Sequence, residues 1–458
     1  MDNGLKKKYG LSTAICMVVG IVIGSGVFFK AETVLNKTGG NMPLGILAWA
    51  IVGAIMLICA YVFSSMATRY EKVSGLVDYA EATVGGRYAY YVGWFMAAIY
   101  TPCLVSVLAC VSARYICVLL GWDSAGGECM AIAGFLLCMS HVLNALSPRL
   151  AGKFQVFTTV AKMAPLLLMA VVGTLAGLRS GQLAENFATM HATTVPAGEG
   201  LMAATVAVAF AYEGWILATT INAELRDAKK NLPRALLLGS VIVVGTYILY
   251  YIGLSGAVST QELMESGQEG VRMAFSRVFG QTAGTLVFVL VVVSCLGGLN
   301  GLTLACSRGL YALAARDEGP APELFGRVDP VNNAPTNSTL ASLGFSALWL
   351  VYFYGANLGG GWFGSFNFDS SELPVVTLYA MYIPMFLQFM RKGGDLNVFD
   401  RFVMPVLALG GCVFMVCAAF VGHGVSTVLH YLIVFAVWMA AGGLLDRRKG
   451  KASRFNGN

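Results

Sequence analysis

Twelve long apolar runs, each able to cross a bilayer as a helix, constrain this chain more than any other feature. They cover roughly 11–35, 43–69, 88–120, 129–147, 151–178, 200–223, 234–257, 281–311, 337–355, 371–390, 401–421 and 425–445. About 20 apolar residues suffice to cross the hydrocarbon. Only 12% of the 458 residues are charged and 57% are hydrophobic, whereas a soluble domain carries about 25% charge. This excludes a soluble globular protein, a disordered chain and a nucleic-acid binder. Lys6-Lys7-Lys8 precedes a full-length span without a small-residue cleavage site, so no cleaved signal peptide is expected.

Loop charge supports the count of twelve. With the N-terminus in the cytoplasm, the inner loops and tails hold 23 of the 30 Lys and Arg, and the outer loops five: Lys30, Lys37, Arg179, Arg272 and Arg277. Positive charge collects on the cytoplasmic side. A missed helix would invert every later loop and erase this bias. The expectation is a multi-pass protein of the plasma (inner) membrane with both termini, 1–10 and 446–458, cytoplasmic. The eleven cysteines and four histidines form no metal-binding spacing. No cofactor or metal is expected, and no clustered catalytic groups mark an enzyme.

Two spans carry local breaks. The first reads Gly20-Ile21-Val22-Ile23-Gly24-Ser25-Gly26. Glycine costs about 1 kcal/mol in a helix interior. Unwound backbone at membrane depth survives only inside protein or along a cavity; close helix packing is the alternative use of such a stretch. The sixth reads Phe210-Ala211-Tyr212-Glu213-Gly214-Trp215, with an acid amid apolar residues. An acid there is a functional candidate by default; a helix ending at Phe210 would make it a boundary residue instead. Breaks in spans one and six are what an inverted repeat of five plus five helices places at a binding site. Freed N–H groups at a half-helix start suit a carboxylate, and freed carbonyls suit an ammonium. Paired breaks would thus receive the head of an α-amino acid.

These stretches resemble the amino acid–polyamine–organocation superfamily, and its L-type amino acid transporter branch in particular. Ile23-Gly24-Ser25-Gly26-Val27-Phe28 resembles the family's first-helix motif. Phe210 to Trp215, with Glu224-Leu225-Arg226-Asp227 and Asn231-Leu232-Pro233-Arg234-Ala235, is similar to its sixth-helix motif. Tyr61 to Gly75 with Asp78-Tyr79 resembles its first inner loop, although Glu71-Lys72-Val73-Ser74-Gly75 and Asp227-Ala228-Lys229 depart from the usual prolines.

The resemblance implies an all-α polytopic membrane protein of the leucine-transporter (LeuT-type) fold. Twelve transmembrane helices would divide into repeats at 11–178 and 200–391, with 400–445 outside them. It implies secondary transport of amino acids by alternating access, as exchange (antiport) or with protons. A polyamine or organic-cation carrier is the alternative within the superfamily, and a multi-span membrane enzyme the alternative outside it. Ser25 and Gly26 would meet the substrate carboxylate. The carbonyls of Val22, Phe210, Ala211 and Glu213 would meet its amino group. Phe210 would cover the substrate as part of an outer gate, and Ile23, Gly24, Tyr212 and Gly214 complete the candidate set. Lys162 resembles the branch's fifth-helix lysine, which stands where sodium-coupled members of the fold hold the ion. It would tether the first break and replace sodium; snorkelling to the interface is the alternative. Glu213 would pair with a cationic side chain, bind a proton, or bond freed N–H groups. Asn300 is a cavity candidate near Lys162. Glu372 reads as an interfacial acid. Cys129 lies near the position through which animal members join a heavy subunit, but it falls at the edge of a helix in a bacterial-type chain, so packing is expected and a heavy subunit is not. The expected partners are the lipid bilayer, the amino acid and, for symport, protons.

Overall fold

The computed structural model describes residues 10–24, 26–70, 75–188, 196–217, 219 and 225–446. Every regular element among them is a helix. Eleven helices are long and apolar enough to cross a membrane, and the bent pair Leu11–Val22 and Gly26–Lys37 makes a twelfth span. The others are Met42–Arg69, Gly86–Leu120, Gly127–Leu146, Leu150–Ser180, Ala197–Leu217, Lys229–Ala257, Gln281–Ala314, Thr336–Asn357, Leu373–Lys392, Phe399–His423 and Val425–Leu445. An even number of crossings returns the chain to the side on which it starts, called here the near side.

Several spans pair with the span five further along the chain. The second half of span 1 packs on span 6, span 2 on span 7, span 3 on span 8, and span 4 on span 9. Spans 3 and 6 are the most enclosed, and span 12 is the least. Span 5 shows how sequence sets this arrangement. Val156 and Val160 are exposed on one face, while Thr158 and Lys162 are fully buried on the other. Both pairs are four residues apart, one helical turn. In a membrane the exposed apolar face meets lipid, and the polar face turns inward.

Spans 5 and 7 meet backbone to backbone. A Cβ at Gly173 would lie 2.4 Å from Gly253 O, and one at Gly177 would lie 2.4 Å from Gly256 Cα. Lipid tails are as apolar as leucine, so close packing of small residues carries much of helix association here.

Span 3 contains a π turn, Met96–Tyr100, just before Pro102. Proline has no N–H to give the carbonyl four residues back. That carbonyl, Ala98 O, instead accepts from Trp349 Nε1 of span 9 at 3.1 Å. The Thr101 hydroxyl donates to Met96 O at 2.7 Å. The extra residue in the turn re-aims Tyr100 toward span 6.

The sixth span is interrupted as its sequence indicates: its α-helix ends at Ala211. Between spans 7 and 8 lie two short helices, Thr260–Ser266 and Glu269–Phe279, separated at Gly267 with φ 55°. Arg277 grips Glu262 through both carboxylate oxygens at 2.9 Å, and this with the Ser259 N–H holds the Glu262 carboxyl down to about 2. Lys30 is not a loop residue: it lies in the second half-helix of span 1 and is 1% exposed.

The contact between spans 5 and 7 predicts that Gly253→Ala destabilises, because its Cβ would stand 2.1 Å from Met169 O. Overpacking of this kind costs about 1–3 kcal/mol. Gly245→Ala, on the same span with nothing within 4 Å of its Cβ, should melt no earlier than the parent. Thermal unfolding of the purified protein in detergent checks both.

Candidate functional site

The break in span 1 begins where Ile23 turns to ψ 100°, and the two half-helices are bent by 46°. Ser25 lies outside the described residues. The carbonyls that a continuous helix would have used are taken by side chains. Lys162 Nζ, fully buried on span 5, donates to Gly20 O and Ile23 O. Tyr247 Oη of span 7 donates to Val22 O at 3.0 Å. A buried ammonium without partners costs several kcal/mol. Here carbonyl dipoles surround it, and the lysine and the unwound backbone satisfy one another.

In span 6 the helix ends at Ala211, and Tyr212 to Gly214 form a turn before the 3₁₀ residues 215–217. Gly214 has φ 100°, which side-chain-bearing residues rarely adopt, and it packs against Ile21. The two breaks touch. A Cβ at Gly26 would stand 2.6 Å from Ala211 Cα, so only glycine allows this approach.

Between the breaks lies a small cavity lined by Val22, Gly24, Gly26, Phe210, Ala211 and Glu213, closed by Leu104, Leu108 and Leu302. Most of the sequence candidates therefore come together here. Phe210 is buried, with its ring edge-on to Phe29 at 6.2 Å and Lys30 Nζ 5.4 Å from its centre. Glu213 is buried and accepts from Tyr100 Oη. The Tyr379 and Tyr382 hydroxyls and Trp215 Nε1 are also buried.

Two candidates point elsewhere. Tyr212 donates to Trp49 O at 3.2 Å and stacks on Tyr247 at 5.2 Å, tying the break to spans 2 and 7. Asn300 donates to Ala151 O at 3.1 Å and Gln155 Oε1 at 3.2 Å, and accepts from Asn144 at 3.1 Å. It closes a polar contact among spans 4, 5 and 8. Glu372 is not an interfacial acid; it is 2% exposed and bonded to Lys30. Cys129 is buried.

Tyr100 and Tyr247 escape the sequence reading. Each is an aromatic residue within an apolar span, like many others in the chain. For Tyr100, the Pro102 that follows is the one local sign that the helix departs from regularity. Lys30 was detectable: a cation two residues after Phe28, inside the first apolar run, meets the criterion that singled out Lys162.

On the near side, Arg316 bonds Asp78 at 2.8 Å, Glu81 at 2.9 Å and Glu318 at 3.3 Å. Arg69 pairs with Asp395 at 2.6 Å. These contacts join the helix Leu76–Thr83 to the end of span 8, and span 2 to the loop after span 10.

The family model for amino acid permeases matches residues 9–442. The serine/threonine exchanger SteT of Bacillus subtilis is 28% identical over 443 residues, 95% of this chain and 96% of that protein. The b(0,+)-type amino acid transporter 1 of Mus musculus is 26% identical over 455 residues, 94% of this chain and 89% of that protein. The large neutral amino acids transporter small subunit 2 of Rattus norvegicus is 28% identical over 358 residues, 76% of this chain and 65% of that protein. These relatives are transporters, not enzymes, and this multi-pass membrane chain belongs to the amino acid permease family of the amino acid–polyamine–organocation superfamily.

Proposed function

We propose that this protein exchanges amino acids across the plasma membrane by alternating access, without sodium and without a heavy subunit. The near side is the cytoplasm. The observation that carries this reading is the contact of two broken spans around one cavity, with Lys162 already occupying the carbonyls of the first break. The substrate carboxylate meets the start of the half-helix Gly26–Lys37, where backbone N–H groups and the helix dipole favour an anion. Ser25 adds its hydroxyl. The amino group meets the carbonyls at the end of Ala197–Ala211. Phe210 covers the site from the far side.

Lys162 takes the place of a coupling cation. An ammonium fixed to the protein cannot be released to either side, so no sodium gradient is used. The relative named as an exchanger supports exchange over net uptake.

Glu213 is the one carboxylate among the residues lining the cavity. We assign it to the positive end of a cationic side chain, with Tyr100 holding one oxygen. A multiply charged polyamine would call for more than one acid, so an amino acid fits better. Proton binding at Glu213 is the second reading, favoured by its burial.

Two variants test these assignments by exchange of labelled amino acids in proteoliposomes loaded with unlabelled substrate. Lys162→Ala leaves two buried carbonyls unpaired, at about 1–3 kcal/mol each, and should lower exchange more than tenfold while the protein still purifies as a monodisperse species. Normal exchange in this variant would remove the cation-replacing role. Glu213→Gln should lower transport of cationic relative to neutral amino acids by about tenfold, the loss of one buried charge contact worth about 1.4 kcal/mol. If selectivity is unchanged and pH dependence is lost instead, the proton reading holds.

A further inference from the structure

The strongest cluster outside the cavity sits on its far side, where four spans converge on Glu372. One carboxylate oxygen accepts from Lys30 Nζ at 2.6 Å. The other lies 2.9 Å from His423 Nε2. Lys30 comes from the second half of span 1, Glu372 caps span 10, and His423 ends span 11. Lys30 also donates to Ser371 Oγ at 3.1 Å and lies 3.9 Å from Asp369. Its ammonium stands 5.0 Å from the centre of the Phe29 ring and 5.4 Å from that of Phe210. The carboxylate thus joins the half-helix that carries the first break, the aromatic cover of the cavity, and spans 10 and 11. Span 11 is packed against span 6 here: a Cβ at Gly422 would stand 2.8 Å from Ala203 Cα.

The charge balance of this cluster depends on one proton. Lys30 contributes one positive charge, and Glu372 and Asp369 contribute two negative ones. With a neutral imidazole the group carries a net negative charge in a largely buried place. An imidazolium cancels it, and burying a neutral group of charges costs less than burying a charged one. Among the described residues, Glu372 is the one titratable group paired with His423. Span 6 presents Ala203, and its Glu199, one turn earlier, is exposed. On span 12, His430 is bonded to Ser426 O and packs on Phe366. Imidazoles are the side chains that ordinarily titrate between pH 5 and 8.

We propose that His423 is a proton-binding site on the far side of the transporter. A proton there holds Glu372 and Lys30 together over Phe210, so that acid on the far side favours the closed arrangement and slows opening to that side. This rests on the alternating-access reading for its effect on transport, but the proton-dependent closure itself does not require any particular substrate.

The test therefore uses two readouts on the full-length protein. Hydrogen exchange of segment 26–37 is compared between the parent and His423→Gln at matched pH, which cancels the intrinsic pH dependence of amide exchange. The glutamine keeps an N–H donor for Glu372. Segment 26–37 of the parent should be protected about tenfold more strongly relative to the variant at pH 5.5 than at pH 7.5, since one proton can shift the equilibrium by about tenfold per pH unit. Exchange of labelled amino acids is then measured in right-side-out and inverted membrane vesicles with only the bath pH varied. The parent should slow about threefold or more between bath pH 7.5 and 5.5 in one vesicle orientation alone, and His423→Gln should lose most of this response. A variant that keeps the parental pH response in both readouts overturns the proposal. If neither protein transports any amino acid, the functional reading fails, and hydrogen exchange alone decides the proton site.

Discussion

The site depends on one buried ammonium. Unwinding the first span at membrane depth strips carbonyls of their partners where no water can replace them. Burying a lysine there strips a charge of its hydration. Either defect alone would be costly. Placed together, Lys162 and the carbonyls of Gly20 and Ile23 satisfy each other, and the broken helix becomes a stable element. Tyr247 completes the arrangement at Val22 O. The break then presents its remaining groups, the N–H end of the second half-helix, toward the cavity.

Close approach of the second break follows from the same logic. Both breaks expose backbone, and backbone groups recognise a zwitterion only if they lie near one another. Gly26 permits contact with Ala211, and Gly214 permits the turn that follows. The glycines at the breaks therefore let the two breaks meet, while the glycines of spans 5 and 7 let two continuous helices pack. The same residue type has two uses, and its sequence context alone separates them poorly.

That explains what could be read in advance. The twelve spans were legible because hydrocarbon thickness fixes the length and apolarity of each crossing. The two interruptions were legible because glycine clusters and an isolated acid stand out in an apolar run. Lys162 was legible for the same reason. The partners were not. Tyr212 and Asn300 stand beside recognisable positions, yet their side chains turn to neighbouring spans, and a helix's rotation in its bundle is set by packing that one sequence does not display. Tyr100 reaches Glu213 through a π turn whose position depends on Pro102 and on Trp349, 247 residues later in the chain. Lys30 was assigned to a loop because positive charge near a span end usually is one; the half-helix extends further, and the charge is buried against Glu372.

Closure on both sides of the cavity follows from different physics. On the near side, Arg69 and Asp395 pair with side chains 27% and 68% exposed. A pair of this kind is worth little and is screened by salt, so it yields readily to a moving helix. On the far side, Lys30 and Glu372 are 1% and 2% exposed. Separating a buried pair leaves each charge uncompensated until water arrives. The far side should therefore open only as water enters, and the aromatic faces of Phe29 and Phe210 delay that entry by covering the ammonium. An asymmetry of this kind makes the near-side contacts the easier ones to break from the closed arrangement. It places a larger barrier at the step that exposes the cavity to the far side.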